Sequence, residues 1–314
     1  MKKFIFKISV FIGLLLILFI FLLMLPPTPQ VSKSMLFSAL IKDSLLANEF
    51  YPRMIFVGGS NLSFGLNSQT IKDSLKINPI NTAINANISL KYMLDNTYQY
   101  VKNGDIIVVI PEYSHFYRDY NFGSEELLRT ILDVRKSNIK LLNINQIINC
   151  SPFLGRFIIS KFYRNQYINI QENDIYGVNS INKYGDTYTH WNMDRRKFNP
   201  LDSINIYYYN PKVIEKIKEF EKKINKKGAI LFISYPAFQD ISYYRSIEAI
   251  NKIEEEFIKY DFTILGTPYR YMINDSLMFN TPYHLNKTGV DLRTQLLIED
   301  LKIVFFNKTQ YDID

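Results

Sequence analysis

Five short apolar runs, most of them followed by a stretch of helical length, constrain this chain more than any other feature. They lie at about 53–57, 77–84, 105–110, 229–234 and 262–265, with helical patterns at about 90–101, 211–226, 242–259 and 286–305. A crossover of helical length returns the chain in the same direction. The alternation therefore predicts a parallel sheet covered by helices on both faces. The third run, Asp105-Ile-Ile-Val-Val-Ile110, is apolar throughout after its aspartate, as a strand buried on both sides requires. Asn103-Gly104 just before it ends a helix, because glycine accepts the left-handed conformation after the last turn. Only residues 111–210 break the pattern. About one hundred residues are too many for one crossover, so this stretch reads as an insertion beside the cleft with helices of its own.

The amino terminus sets the compartment. Lys2, Lys3 and Lys7 precede an uncharged run over 8–25 that is apolar but for Ser9. At about 1.5 Å per residue that run spans a hydrocarbon core. Pro26 and Pro27 end it, since proline has no amide to donate. No small-residue cleavage site follows, so the run reads as an uncleaved anchor rather than a signal peptide. Positive charge before the span places the N-terminus in the cytoplasm. The expected protein is a single-pass inner (cytoplasmic) membrane protein with its main domain extracytoplasmic. Residues 1–27 form the tip and anchor, 28–52 a linker with a short helix at about 35–48, and 53–314 the α/β domain.

The net charge of +7 is spread over scattered lysines instead of one stripe, which argues against a nucleic-acid partner. One cysteine, Cys150, excludes an internal disulfide framework and a Cys-rich zinc site. No G-x-G-x-x-G, Walker lysine or H-E-x-x-H is present, so neither cofactor nor metal is expected. The acidic runs Glu125-Glu126 and 254–256 read as solvated helix faces.

The first strand runs into Gly58-Gly59-Ser60-Asn61, a tight turn before a helical pattern. In α/β sheets, ligands bind beyond the carboxyl ends of the strands, so Ser60 faces the expected cleft. A serine hydroxyl becomes nucleophilic only when a base takes its proton. Three histidines are available. His284, in Tyr283-His-Leu-Asn286 before the last helix, is the best placed. His115 and His190 read as structural histidines.

These blocks resemble the SGNH (GDSL-like) hydrolases, in particular membrane-anchored members associated with bacterial surface-polysaccharide genes. Gly58 to Asn61 is similar to their first block, 105–113 to the strand entering their third, and Tyr283 to Gly289 to their last. The resemblance covers about 53–301. It implies a three-layer α/β/α flavodoxin-like parallel sheet of SGNH type, hung from the N-terminal transmembrane helix. It implies Ser60 as nucleophile and His284 as general base. Family enzymes carry an aspartate three or four residues before the histidine; here those positions hold Thr281 and Asn280. Asn280 is then the orienting residue, with Asp275 as a neighbouring alternative. The family's glycine amide of the second block falls on Ala83. Asn61, Asn85 and Asn87 are the candidates for the missing side-chain donor of the oxyanion hole. The implied function is a serine esterase or O-acyltransferase of the envelope, acting on acyl groups, acetyl in particular, of a surface polysaccharide or its acyl donor. The alternative is a catalytically inactive relative that binds glycan or a partner in polysaccharide assembly. A working pair should hold the serine oxygen within about 3 to 4 Å of an imidazole nitrogen.

Overall fold

A computed structural model describes residues 1–162 and 175–311; the 163–174 part of the expected insertion and the end of the expected α/β domain at 312–314 lie outside the described residues. Helix α1, Lys2–Met24, is apolar after Lys7 apart from Ser9 and is exposed to the surroundings almost everywhere. Its 23 residues are long and apolar enough to cross a membrane, at about 34 Å for about 1.5 Å per residue.

The expected linker is packed against the rest of the chain. A single turn at Met35–Phe37 leads into α2, Ser38–Asn48, which buries Ala39, Lys42 and Leu46. The Lys42 ammonium donates to the carbonyls of Asn81 and Gly185, which ties α2 to the edge of the sheet.

Five strands form the sheet: β1 Arg53–Gly58, β2 Asn78–Asn81, β3 Ile106–Ile110, β4 Ile230–Ser234 and β5 Ile264–Leu265. All pairings are parallel and the order is β2-β1-β3-β4-β5. The two-residue period of a strand divides its side chains between two cores. Ile55, Val57, Ile107, Val109, Leu231 and Ile233 pack under α4 (Leu90–Tyr98), α5 (Pro211–Asn225) and α6 (Ile247–Lys259). Met54, Phe56, Val108, Ile110 and Phe232 pack under α3 (Ser68–Leu75) and α7 (Lys287–Tyr311). Both faces are therefore covered by helices, as the uniformly apolar strands require. The protein is α/β with a five-stranded parallel sheet.

Several elements are shorter than the sequence pattern, β5 and α4 among them, and two show why. The second strand stops at Asn81 because asparagine side chains take over the backbone: Asn81 Oδ1 accepts from the Ala83 amide at 3.1 Å and Asn85 Oδ1 from the Asn87 amide at 2.8 Å. The helix expected over 242–259 breaks at Ser246 into Asp240–Arg245 and α6, and the Ser246 hydroxyl accepts from the Ile204 amide.

Between β3 and α5 the chain forms short helices, including Glu125–Arg129, Ile144–Cys150 and Leu154–Ser160. They share a third core with Phe64, Ile84 and Phe279, which brings the insertion against the carboxyl edge of the sheet.

Candidate functional site

The strand order makes the site. From β1 the chain passes over one face of the sheet, and after β3 it leaves on the other, so a crevice opens between their carboxyl ends. Ser60 follows β1 and Glu112 follows β3, and they meet there. The Ser60 hydroxyl donates to Glu112 Oε1 at 3.3 Å, and the Asn61 amide donates to the same oxygen at 3.2 Å. Two glycines permit this approach. A Cβ on Gly58 would lie 2.3 Å from the Ile110 carbonyl oxygen, and one on Gly59 would lie 2.5 Å from Glu112 Oε1. Burial raises the Glu112 pKa above the usual carboxylate value, against the hydrogen bond from Asn61 and the nearby Arg118 guanidinium.

His284 arrives on a hairpin of β6, Met278–Thr281, and β7, His284–Leu285. Thr281 Oγ1 closes the turn by accepting from the amides of Tyr283 and His284. That leaves Asn280, four residues before the histidine, to meet the ring: its Oδ1 lies 2.9 Å from His284 Nδ1. Asn280 Nδ2 donates to the Tyr176 hydroxyl at 2.8 Å, which fixes the amide with oxygen toward the imidazole. Nδ1 of His284 then carries the proton, and Nε2 is the free base. Phe64 stacks on the ring with centroids 4.1 Å apart and planes at 11°. Burial, with the neighbouring His190 ring second, lowers the His284 pKa to about 3, so the imidazole is neutral at pH 7.

Ser60, His284 and Asn85 open on one cavity of about 290 Å³, bordered also by Met35, Glu126 and Tyr176. Among the described residues no hydrogen bond joins the Ser60 hydroxyl to His284; the serine proton is directed at Glu112 instead. Of the expected oxyanion donors, Asn85 is the one that lines the cavity. The Asn61 amide is taken by Glu112 and its Nδ2 faces the Ile110 carbonyl at 3.5 Å. The Ala83 amide is held by Asn81, and the Asn87 side chain lies between Glu126 and Arg118.

The other histidines sit in structural settings. Both ring nitrogens of buried His115 face carbonyl oxygens, of Glu112 and Ala86, and burial lowers its pKa to about 3. His190 Nε2 meets the Leu285 carbonyl, and the ring lies 5.0 Å from Phe64, on which His284 also stacks. Burial lowers its pKa to about 4. Asp275 pairs with Arg195 and Gln239 instead of His284.

Sequence reasoning passed over Glu112, Glu126 and Tyr176. Glu112 had a signal, being the first charged residue after a buried strand, at the edge where ligands bind. Glu126 borders the cavity, although it was expected on a solvated helix face. Tyr176 lies in the irregular insertion, where no periodicity marks it. Among the described residues no three His, Cys, Asp or Glu side chains are grouped to hold a metal ion. Compared with known proteins, the chain matches no family model, no curated protein and no solved structure.

Proposed function

We propose that this chain is an SGNH-like serine esterase or O-acyltransferase of the bacterial cell envelope, anchored by α1 and acting on acyl groups of a surface glycan. One observation carries the reading: Ser60 and His284, remote in sequence, open on the same cavity, with His284 Nδ1 held by an oxygen acceptor. The strand order, which is that of the flavodoxin-like doubly wound sheets, supports it. In the reaction Ser60 Oγ turns from Glu112 toward the imidazole and attacks the acyl carbonyl while its proton passes to His284 Nε2. The tetrahedral intermediate collapses to an acyl-serine as the leaving alcohol takes that proton. Water or a sugar hydroxyl then gives its proton to Nε2 and takes the acyl group, and Nε2 returns that proton to the departing Ser60 oxygen. Ser60→Ala should abolish release of p-nitrophenol from p-nitrophenyl acetate by the full chain in mild detergent. Equal turnover by parent and variant would end the assignment.

A second reading is favoured by Glu112. Its carboxylate occupies an amide at the start of the turn, where an oxyanion would need a donor, and among the described residues no carboxylate is hydrogen-bonded to His284. A non-catalytic glycan-binding protein has no need of either. In that case the parent shows no turnover, and glycan binding by Ser60→Ala equals that of the parent.

A further inference from the structure

We propose that residues 136–162 form a second membrane contact, a face that lies on an anionic bilayer surface beside the anchor; this rests on the reading of α1 as a span. Ile144, Ile147 and Ile148 fall on one face of the Ile144–Cys150 helix by their three- and four-residue spacing, and all three are exposed, Ile144 at 67% and Ile148 at 58%. Ile139, Ile159 and Phe162 continue the exposed apolar series along the same stretch. A soluble surface seldom carries large aliphatic side chains so densely, and such a patch marks a contact.

The occupant follows from position and charge. The carboxyl end of α1 touches this segment: α1 contacts the Leu154–Ser160 helix, Leu23 packs with Phe153, Leu154 and Ile158 against the core around Phe157, and Lys136 Nζ donates to the Met24 carbonyl at 3.1 Å. The patch therefore begins where the span ends, at the level of the lipid headgroups. Between 136 and 162 the sequence has no acidic residue; Lys161 is buried on Asp133, while Lys136, Lys140 and Arg156, the last also paired with Glu125, are exposed. Aliphatic groups among basic ones are the composition of a segment lying in the interface, where apolar atoms enter the acyl boundary and cations meet anionic headgroups. Met35, eleven residues after Met24, borders the Ser60 cavity. A second contact holds that cavity near the bilayer, within reach of an amphiphilic acyl donor.

The test uses the full chain reconstituted in vesicles of phosphatidylcholine with phosphatidylglycerol, with Cys150→Ser and a nitroxide placed on Leu16→Cys, Ile148→Cys or Tyr207→Cys. The expected ratio of oxygen to nickel-chelate accessibility at 148 is several-fold above that at 207 and drops when phosphatidylglycerol is omitted. Introducing Ile144→Asp with Ile147→Asp should return the ratio at 148 to that at 207. A water-like ratio at 16 would overturn the anchor reading itself. A lipid-like ratio at 16 with a water-like one at 148 would overturn this proposal alone. So would spin–spin broadening at 148 that vanishes on dilution with unlabelled chain, which would mean a second copy covers the face. An unchanged ratio without phosphatidylglycerol would overturn the role given to the basic residues.

Discussion

Asn280 and Glu112 are the residues on which activity turns. Asn280 orients the His284 ring but brings no negative charge to it, and burial keeps the imidazole from protonating. Asn280→Asp would keep the acceptor, present a second oxygen to the Tyr176 hydroxyl in place of the amide donor, and stabilise the imidazolium. Ester hydrolysis should rise by about tenfold or more, against about four orders of magnitude for the converse change in a serine triad. The His284 resonance should also titrate at higher pH by NMR. Unchanged turnover together with an unchanged titration would remove Asn280 from the mechanism. Glu112 acts in the opposite sense, because its carboxylate holds the Asn61 amide beside Ser60, a donor that an oxyanion would need. A like charge at about 4 Å costs on the order of 1–4 kcal/mol between water-like and protein-like screening. Glu112→Gln should therefore raise kcat by about tenfold. A fall to the Ser60→Ala level would identify Glu112 as the base instead.

At the scale of elements, the two ends of the sheet have different duties. At the amino edge, Arg53 on β1 lies fully buried against Asp105, donates to the Leu46 carbonyl of α2 and reaches the Tyr100 carbonyl just past α4. One guanidinium thus joins two strands and two helical segments far from the cavity. Removing its partner leaves a buried charge unpaired. Asp105→Ala should cost about 3–5 kcal/mol in urea unfolding, and a loss below about 1 kcal/mol would show the site to be solvated. At the carboxyl edge the glycine turn holds β1 and β3 exits together, because Gly58 lies where any Cβ would collide with the Ile110 carbonyl oxygen. There, geometry serves the crevice more than the fold.

For the whole molecule, acid is the test of how the three histidines are buried. Each has a folded pKa below its unfolded value of about 6.5, near 3 for His115 and His284 and near 4 for His190. The unfolded chain then binds more protons between those values, so each contributes stability above about pH 6.5 that is lost as pH falls toward its folded pKa. Glu112 and Asp186, raised by burial, act in reverse, with stability present in acid and lost as pH rises through their folded pKa values. His115→Gln isolates one contribution. The stability difference between about pH 8 and pH 5 should be smaller by about 2 kcal/mol in the variant than in the parent. Equal differences would mean that His115 titrates normally. The orientation expected from Lys2, Lys3 and Lys7 is tested separately: alkaline phosphatase fused after Asp314 should be active, and an inactive fusion would invert the topology.

Period and punctuation in the sequence determined the parallel α/β sheet and its five strands, because a strand buried on both faces admits only apolar residues and a crossover needs helical length. They also determined the apolar N-terminal helix and the place of Ser60 after β1. Strand length was less legible, since Asn81 and Asn85 spend their side chains on nearby backbone amides and end β2 early. The site depended on tertiary structure. Asn280 rather than Thr281 meets His284 because Thr281 is used to close the hairpin turn. Glu112 accepts the Ser60 hydrogen bond because β1 and β3 are neighbours in space while about fifty residues apart in sequence. Such pairings are fixed by where the sheet brings strand ends together, and no local pattern encodes that distance.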